Sequence, residues 1–500
     1  MDFSGMINGF SVALTPINIF YCFTGVFVGT LIGVLPGIGV SATLAMLIPI
    51  TYGIPTASAI IMLAGICYGA QYGGSTTSIL VNIPGEATSV VTCLDGYQMA
   101  KQGRAGKALG ISAIGSFIAG TFGVFLLVLI ALPLSEFALK FGPPEYFSLM
   151  IFGLTMLSYL GSGSFLKAMA MVMVGLTLGT IGADIVSGVV RFTFGIPELY
   201  DGIGFVPVLM GLFGVAELLV NVEQIFKRDV IKTKIKDLFP NKEEMKGSSM
   251  PIVRGSVLGF FLGTIPGPTG IISTFVSYGL EKRISKHPEK FGRGAIEGVA
   301  GPESANNAAV QGHFVTLLTL GLPGSAMMAL LLGAFMIHGV IPGPLLVKNH
   351  PDVFWGIIAS MYLGNLMLLI LNFPLIGLWV KLLEVPYGML FPLIFLFIFV
   401  GSYSNALSLM EVNITLFFGL IGYLMRKTEY EPAPLVLALV LGPMIEEAFR
   451  QSLIANYGDL MIFFKRPISA VFIIISILLI SSTFILSRKR KKILEISLEK

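Results

Sequence analysis

Charge is scarce in this chain. Lys, Arg, Asp and Glu supply 12% of its 500 residues, where a soluble domain carries roughly 25%. A soluble core would not need so much apolar surface, and that class is set aside. No Lys or Arg precedes Lys101, so the N-terminus lacks a basic n-region and a cleaved signal peptide is not expected. There are four histidines, His287, His313, His338 and His350, and no two stand at metal-ligand spacing. The sequence has no H-E-x-x-H, no G-x-S-x-G, no P-loop and no dinucleotide fingerprint, and an enzyme reading finds little to rest on. Cys22, Cys67 and Cys93 lie in apolar segments with neither metal nor disulfide spacing, and read as packing residues. The net charge of +4 does not point to nucleic acid, because the basic residues fall in short loops.

What the chain has instead is apolar length. Hydrophobic residues make up 55% and mean hydropathy is +0.86. Stretches of about 20 apolar residues recur, each long enough for a bilayer of roughly 30 Å. Glycine (59) and proline (27) are abundant. In lipid, glycine lets helices approach closely, and proline breaks helices where the freed backbone lines a cavity. The class is an all-α polytopic membrane protein in a lipid bilayer. Apolar spans are expected near 108–132, 146–162, 168–184, 203–220, 357–380, 387–403, 406–425, 435–450 and 467–487.

Basic residues cluster at 101–107, 227–254, 282–293, 426–427 and 488–492. Placing these on the cytoplasmic side keeps the helix parity consistent. Of the 32 Lys and Arg, 26 then lie inside, and Lys140, Arg191, Lys348, Arg450, Lys465 and Arg466 lie outside.

The chain repeats itself. Gly29-x-x-x-Gly33-x-x-Pro36-Gly37 recurs as Gly259-x-x-x-Gly263-x-x-Pro266-Gly267. Gly74-Ser-Thr-Thr-Ser leads to Ile83-Pro84-Gly85, and Gly312-His-Phe-Val-Thr leads to Leu322-Pro323-Gly324. This predicts a first transmembrane repeat at 1–221 and a basic cytoplasmic linker at 222–254. A second repeat at 255–425, C-terminal helices at 426–487 and a basic tail at 488–500 follow. The basic loop comes late in the first half and directly after the hairpin in the second, so the halves read as inverted. Inverted repeats with broken helices at the midplane are a secondary-transporter architecture. From Arg254 to Glu281 each arm has about 12 residues, or roughly 18 Å of helix, which reaches mid-bilayer only. The Pro266–Gly270 turn is therefore expected to tip a re-entrant hairpin, mirrored by Pro36–Gly39.

Five segments combine helix breakers with small polar residues: Pro36–Gly39, Gly73–Asn82 running into Pro84-Gly85-Glu86, Pro266–Gly270, Gly301–Asn307, and Pro323-Gly324-Ser325. Broken helices offer N–H groups to anions at one end and carbonyls to cations at the other. The plainer reading is close helix packing. The candidate substrate- and ion-binding residues are Pro36, Gly37, Gly39, Ser75, Thr76, Thr77, Asn82, Pro84, Gly85, Pro266, Gly267, Thr269, Gly270, Glu303, Ser304, Asn306, Asn307, Pro323, Gly324 and Ser325, and none is catalytic. The tip glycines Gly37, Gly39, Gly267 and Gly270 are expected to need backbone conformations that valine resists. Glu86, Asp184, Glu217 and Glu303 are acids in or near apolar spans, a functional signal by default. Asp184 and Glu217 are read as helix-end markers, and His313 and His338 as packing residues. Glu446, Glu447 and Arg450 are read as a helix-surface ion pair.

At these motifs the chain resembles a known family. Gly-Val-Leu-Pro-Gly-Ile-Gly at 33–39, Gly-Ala-Gln-Tyr-Gly-Gly-Ser-Thr-Thr-Ser-Ile-Leu-Val-Asn-Ile-Pro-Gly-Glu-Ala at 69–87 and Leu-Asp-Gly-Tyr-Gln-Met-Ala-Lys-Gln-Gly-Arg-Ala-Gly at 94–106 are similar to the large membrane subunit of tripartite tricarboxylate transporters, the TctA family. So are Pro-Glu-Ser-Ala-Asn-Asn-Ala at 302–308, Leu-Thr-Leu-Gly-Leu-Pro-Gly-Ser-Ala at 318–326 and Ile-His-Gly-Val-Ile-Pro-Gly-Pro-Leu at 337–345. The resemblance implies a multi-pass permease of the bacterial cytoplasmic (inner) membrane. It implies a small membrane subunit and an extracytoplasmic solute-binding protein as partners, and citrate or another small carboxylate as substrate. It implies no organic cofactor but a coupling cation, sodium or a proton. Sodium ligands are then expected among Ser75, Thr76, Asn82, Asn306 and Asn307. Val40 and His313-Phe314 depart from the family pattern. A stand-alone cation-coupled carboxylate transporter, an ion channel and an intramembrane enzyme stay open as alternatives.

Overall fold

A computed structural model describes residues 3–35, 39–161, 164–184, 187–223, 231, 235–383 and 387–498. Pro36, Gly37, most of 224–234 in the basic linker, and the side chains of the basic tail lie outside the described residues. The helices in chain order are α1 Phe3–Ala13, α2 Pro16–Val34, α3 Val40–Leu47, α4 Thr56–Val81, α5 Val90–Met99, α6 Ala105–Ala138, α7 Pro143–Leu160 and α8 Phe165–Leu178. Then come α9 Phe205–Leu209 and α10 Ala216–Val222, joined by a π-helical stretch, α11 Lys242–Gly263, α12 Thr269–Ile284, α13 Glu297–Leu320 and α14 Ala326–Ile337. The rest are α15 Leu346–Asn349, α16 Pro351–Asn372, α17 Ile376–Leu383, α18 Tyr387–Ala406, α19 Leu409–Lys427, α20 Pro432–Ala455, α21 Ile462–Lys465 and α22 Pro467–Leu498. One two-residue hairpin, Gly182–Ala183 with Val190–Arg191, is the strand content of the described residues. Six helical stretches among those residues are long and apolar enough to cross a bilayer. The chain is an all-α, multi-pass membrane protein.

Two spans differ from the sequence expectation. The stretch 357–380 is two helices, α16 and α17, because Pro374 cannot continue the first. The stretch 168–184 ends as helix at Leu178, and Gly182 has φ +110, a conformation that favours glycine and leaves the helical path.

The chain divides into a larger unit (1–136, 206–265, 269–423) and a smaller one (137–205, 266–268, 424–500). In the larger unit α2 lies along α4, and α11 lies along α13. Glycine makes this contact possible. A Cβ on Gly25, Gly29 or Gly33 would lie 2.2, 2.6 or 2.3 Å from the carbonyl oxygens of Met62, Ile66 and Ala70. A Cβ on Gly255, Gly259 or Gly263 would lie 2.2, 2.1 or 2.2 Å from those of Gly301, Ala305 and Ala309. One constant offset carries each first-half glycine onto its counterpart, Gly25 onto Gly255. A second constant offset carries each carbonyl, Met62 onto Gly301. The same backbone-on-backbone packing therefore occurs twice, at the offsets of the sequence repeat. It also fixes the register. Gly73 faces the Thr30 carbonyl at 2.3 Å and Gly312 faces the Phe260 carbonyl at 2.3 Å. Gly312 thus matches Gly73, not Gly74, and the sequence pairing is out by one residue. The closeness of two adjacent glycines, Gly73 and Gly74, hid this.

Both copies end the long helix alike. Asn82 (φ 60) and Gly321 (φ 70) are the left-handed caps of α4 and α13. The following turns bring Glu86 and Ser325 into nearly the same extended conformation, φ −149, ψ 166 and φ −154, ψ 169. Gly301–Asn307 is not a break. Pro302 lies inside α13, where its missing N–H costs one bond. In the second hairpin, Glu281 receives a two-pronged ion pair from Arg254, with Nε–Oε1 at 2.8 Å and Nη2–Oε2 at 2.5 Å. It closes the arms where the sequence placed their base. Buried Asp95 accepts from the N–H groups of Gly294 (2.7 Å) and Ala295 (2.8 Å) and from the Tyr278 hydroxyl (2.9 Å). It fixes α5 to the entry of α13. In the first turn of α11, ahead of its apolar stretch, burial works against the Glu244 carboxylate, but the Asn241 N–H, Lys107 and Arg104 hold it below its ordinary range.

The smaller unit is tied by ions and rings. Arg466 grips Glu145, Nε–Oε1 at 2.7 Å. Phe147, Phe449 and Phe463 cluster with ring centroids 5.2, 4.8 and 5.7 Å apart. Arg450 bonds Glu446 one turn back at 2.7 Å, and also Asp184 at 2.8 Å. Arg191 bonds Glu446 at 2.8 Å. The pair read from sequence as a helix-surface contact is therefore part of a four-residue network. Asp184 is one of its anchors rather than a helix-end marker.

Candidate functional site

Two acids of the larger unit come near one another, each from a stretch of chain without bases. No Lys or Arg precedes Lys101, none lies between Arg254 and Lys282, and none between Arg293 and Lys348. Glu303, in the first half of α13, is fully buried. Ser75 on α4 and Thr92 on α5 both donate hydroxyl hydrogen bonds to its carboxylate. A second-half acid is thus held by first-half hydroxyls. Glu86 follows the α4 cap. Its Oε1 accepts from Thr88 Oγ1 at 2.6 Å and from Asn306 Nδ2 at 3.1 Å. Thr88 Oγ1 is also 3.0 Å from Gln71 Oε1. A hydroxyl has one hydrogen, so Thr88 serves Glu86 or Gln71, not both.

Glu86 and Tyr72 both lie within electrostatic reach of Glu303. Around the pair, the Tyr72 hydroxyl and Asn306 Oδ1 are buried with no hydrogen-bond partner in the structure. Buried polar atoms without partners cost about 1–3 kcal/mol each. Together they offer one donor and one acceptor beside two carboxylates.

A second polar group gathers at the start of α12. His313 Nε2 lies 3.2 Å from Thr269 Oγ1. A Cβ on Gly324 would lie 2.6 Å from His313 Cδ2, and one on Gly270 would lie 3.8 Å from Cε1. His313 Nδ1 is buried and unpartnered. The side chain is 4% exposed.

The candidates from sequence distribute as follows. Ser75, Glu303 and Asn306 come together at the carboxylate pair. Thr269, Gly270 and Gly324 come together around His313, with Pro323 and Ser325 flanking Gly324. Ser325 caps α14 through the Met328 N–H at 3.3 Å. Other candidates hold the scaffold. Thr77 donates to the Val34 carbonyl at 2.8 Å, and Thr76 reaches only the Tyr72 carbonyl of its own helix at 3.5 Å. Ser304 donates to Ala300 O at 2.8 Å, and Asn307 to Ser116 Oγ at 2.7 Å. Asn82 is exposed at the helix end. Gly85, after Pro84, leaves room for the Gly33 carbonyl, 2.2 Å from its Cβ position.

At the hairpin tips the expectation is corrected in part. Gly267, after Pro266, has φ +138 with Leu160 beside it, as a sharp turn demands. Gly39 has φ −62 and ψ 149, a conformation any residue adopts, and Gly270 lies in the first turn of α12. Their constraint is space: the Glu217 carboxylate lies 3.8 Å from a Gly39 Cβ, and a Thr88 methyl 3.2 Å from a Gly270 Cβ. Glu217 lies inside the continuous helical stretch 205–222, five residues before its end. His338 bonds Thr51 Oγ1 at 2.9 Å.

Sequence reasoning left Gln71, Tyr72, Thr88, Thr92 and His313 out of the candidate set and named Glu86 only as an acid in or near an apolar span. The available signal was Glu86 itself, an acid inside the base-free stretch before Lys101. Among the described residues no three His, Cys, Asp or Glu side chains converge as a metal site.

Comparison with known proteins places this arrangement. Over 467 residues the chain is 53% identical to the uncharacterized 52.8 kDa protein of the TAR-I ttuC' 3' region of Agrobacterium vitis, covering 93% of each. It is 51% identical over 212 residues to the uncharacterized protein of the TAR-II ttuC' 3' region of the same organism, covering 42% of this chain and 88% of that one. No solved structure matches. Residues 19–437 match a transporter family across most of the chain: this protein belongs to the tripartite tricarboxylate transporter TctA family.

Proposed function

We propose that the chain is the permease subunit that carries small di- or tricarboxylates across the bacterial inner membrane by cation symport. It would receive substrate from an extracytoplasmic solute-binding protein and work beside a small membrane subunit. The observation that supports this most is the cross-held acid: Glu303 of the second half on Ser75 and Thr92 of the first. An acid at mid-bilayer costs roughly 2.5–3.5 kcal/mol on insertion scales. Glu303 and Glu86 have no basic partner in their own stretches of chain, so a sodium ion or a proton is the natural neutraliser. Ser75 and Asn306 are the sodium ligands that this arrangement favours. The arriving anion is then drawn by that cation and by the N-terminal ends of broken helices. Substrate and cation each screen the other, and each tightens the other's binding by the same factor. The two halves would act as inverted repeats around this pair.

The test is uptake of labelled citrate, malate and succinate into proteoliposomes holding the permease and its small subunit, with the binding protein added outside. Sodium and pH are varied independently. Uptake that needs sodium, or that low pH restores without it, supports the reading. Uptake indifferent to both removes the coupling. Full uptake without the binding protein points to a stand-alone transporter.

A further inference from the structure

Resting on the cation-coupling reading above, we infer that Asp95 is a positioning residue for that site: by pinning α5 to the entry of α13, it holds Thr92 opposite the acid Glu303. Asp95 is fully buried. Its Oδ1 accepts from the N–H groups of Gly294 at 2.7 Å and Ala295 at 2.8 Å, and its Oδ2 accepts from the Tyr278 hydroxyl at 2.9 Å. Gly294 has φ +102, and successive N–H groups at such a turn form a cradle for an acceptor oxygen. One side chain of α5 thus holds Tyr278 on α12 and the residues that lead into α13. The chain just past α5 grips the same loop: Gln102 Nε2 donates to Arg293 O at 2.7 Å, and Arg104 Nη1 to Gly294 O at 3.3 Å. These contacts give the 94–106 motif a task that the carboxylate pair alone leaves unexplained.

The contacts run in register toward the acids. A Cβ on Gly96 would lie 3.7 Å from Val299 Cγ2, and one on Gly298 would lie 2.4 Å from Asp95 Oδ2. Next along α13, Glu303 accepts from Thr92, and then Asn306 donates to Glu86 at 3.1 Å. Residues 86–96 therefore lie antiparallel to 294–306. Thr92 and Asp95 stand i, i+3 on α5 and so share a face. The buried residues of α5 are Val91, Thr92, Asp95, Gly96 and Met99. Two of these are polar and one is glycine. Apolar burial is non-directional, so the polar pair is what fixes the register of this helix. The Ser75 bond to Glu303 comes from α4 and is independent of that register, whereas the Thr92 bond depends on it. None of the Asp95 bonds goes to Glu303, so Asp95 acts on the acid only through Thr92. Groups that orient a ligand without touching the ion commonly govern affinity by about 10- to 100-fold.

The experiment measures uptake of labelled citrate, malate and succinate by proteoliposomes holding the full permease, its small subunit and the binding protein. The readout is the half-activating concentration of the driving cation, sodium or protons, with unfolding temperature recorded alongside. Thr92→Val and Asp95→Ala should each shift that concentration by about tenfold or more, upward for sodium. The double variant should match the more affected single, because both changes remove one contact. Asp95→Asn should stay within about threefold of the wild type, since its Oδ1 can keep both N–H groups and its amide can donate to the Tyr278 oxygen. Gly298→Ala leaves Asp95 in the chain but puts a methyl carbon 2.4 Å from its Oδ2. It should act as Asp95→Ala does, and it decides the matter if Asp95→Ala does not fold. A wild-type half-activating concentration in these variants, with only unfolding temperature or total uptake lowered, would overturn the positioning role and leave symport standing. Fully additive shifts in the double variant would do the same. Wild-type uptake that responds to neither cation would overturn the coupling reading, and this inference with it.

Discussion

In the first half of the larger unit, a glycine-lined helix lies against α4, and α4 ends in a left-handed cap and an extended acid, Glu86. In the second half the same contacts recur between α11 and α13, the same cap follows, and the extended residue is Ser325. Backbone geometry has been kept, and side-chain chemistry has been exchanged. Glu86 has become Ser325, Gly74 has become His313, and Ala64 has become Glu303, all at the offset that carries Gly73 onto Gly312. Packing tolerates nothing but glycine at a carbonyl 2.1–2.6 Å from the Cβ position, so the stripes could not drift. The exchanged position 74 has no such carbonyl against it: a Cβ on Gly74 meets the Glu86 side chain first, at 2.7 Å, and a side chain can move aside where a backbone cannot.

The most damaging way to break the comparison is through its shared part. Gly259→Leu and Gly29→Leu should both prevent a folded protein, because the Ala305 and Ile66 carbonyls already occupy the Cβ space. Folded yield by size-exclusion chromatography in detergent is the measurement. A normal yield from either variant would mean that its half does not need the close contact.

Next in size is the unshared part. Glu303→Gln should insert and fold, since an amide can still meet Ser75 and Thr92, yet uptake should fall by about 100-fold or more, the scale of losing a charge-based coupling site. Ala64, its first-half counterpart, is buried and apolar, so the unit depends on one acid of this pair. Unchanged uptake by Glu303→Gln at equal protein density would show that the buried acid is structural.

These two predictions differ in how far sequence anticipates them. The glycine stripes are legible because spacing of four along one helix is a local pattern, and the repeat shows it twice. The acids are legible because a carboxylate in an apolar span is rare. Thr92 and Tyr72 are not, since Thr92 meets Glu303 from 211 residues away and either residue would pass for ordinary helix packing. His313 was obscured by the one-residue register slip, which paired its neighbour Gly312 with Gly74 and so hid the exchange. The charge network of Asp184, Arg191, Glu446 and Arg450 also joins distant segments, and only its i, i+4 edge is visible in sequence.

A smaller effect separates the hairpin bases. The second closes with the Arg254–Glu281 ion pair. The first has Thr24 and Thr51 at the matching positions. Arg254→Ala leaves Glu281, 3% exposed, without its cation. A fully buried pair broken in this way costs roughly 3–5 kcal/mol, and the exposure of Arg254 lowers that to about 2 kcal/mol. Thr24→Ala, which removes only a bond to its own helix at Phe20 O, should cost under about 0.5 kcal/mol. Thermal unfolding in one detergent compares the two, and equal shifts would show that the clasp adds nothing.

The smallest expected effect sharpens the comparison most, because it tests whether Asn82 holds an ion or only a turn. Asn82 and Gly321 occupy the same left-handed cap, φ 60 and φ 70. Glycine and asparagine both enter that region easily, so Asn82→Gly should change stability by no more than about 0.5 kcal/mol. The reverse exchange is not equivalent: a Cβ on Gly321 would lie 2.6 Å from the Pro342 carbonyl oxygen, so Gly321→Asn must push that loop aside and should cost about 1–3 kcal/mol. Asn82 is exposed, and the proposed cation site is buried around Glu303. If the side chain serves only as a cap, uptake and its sodium dependence should survive Asn82→Gly intact. A sodium affinity lowered about tenfold in this variant, with unfolding temperature unchanged, would make the amide an ion ligand and would move the cation site from Glu303 toward the end of α4.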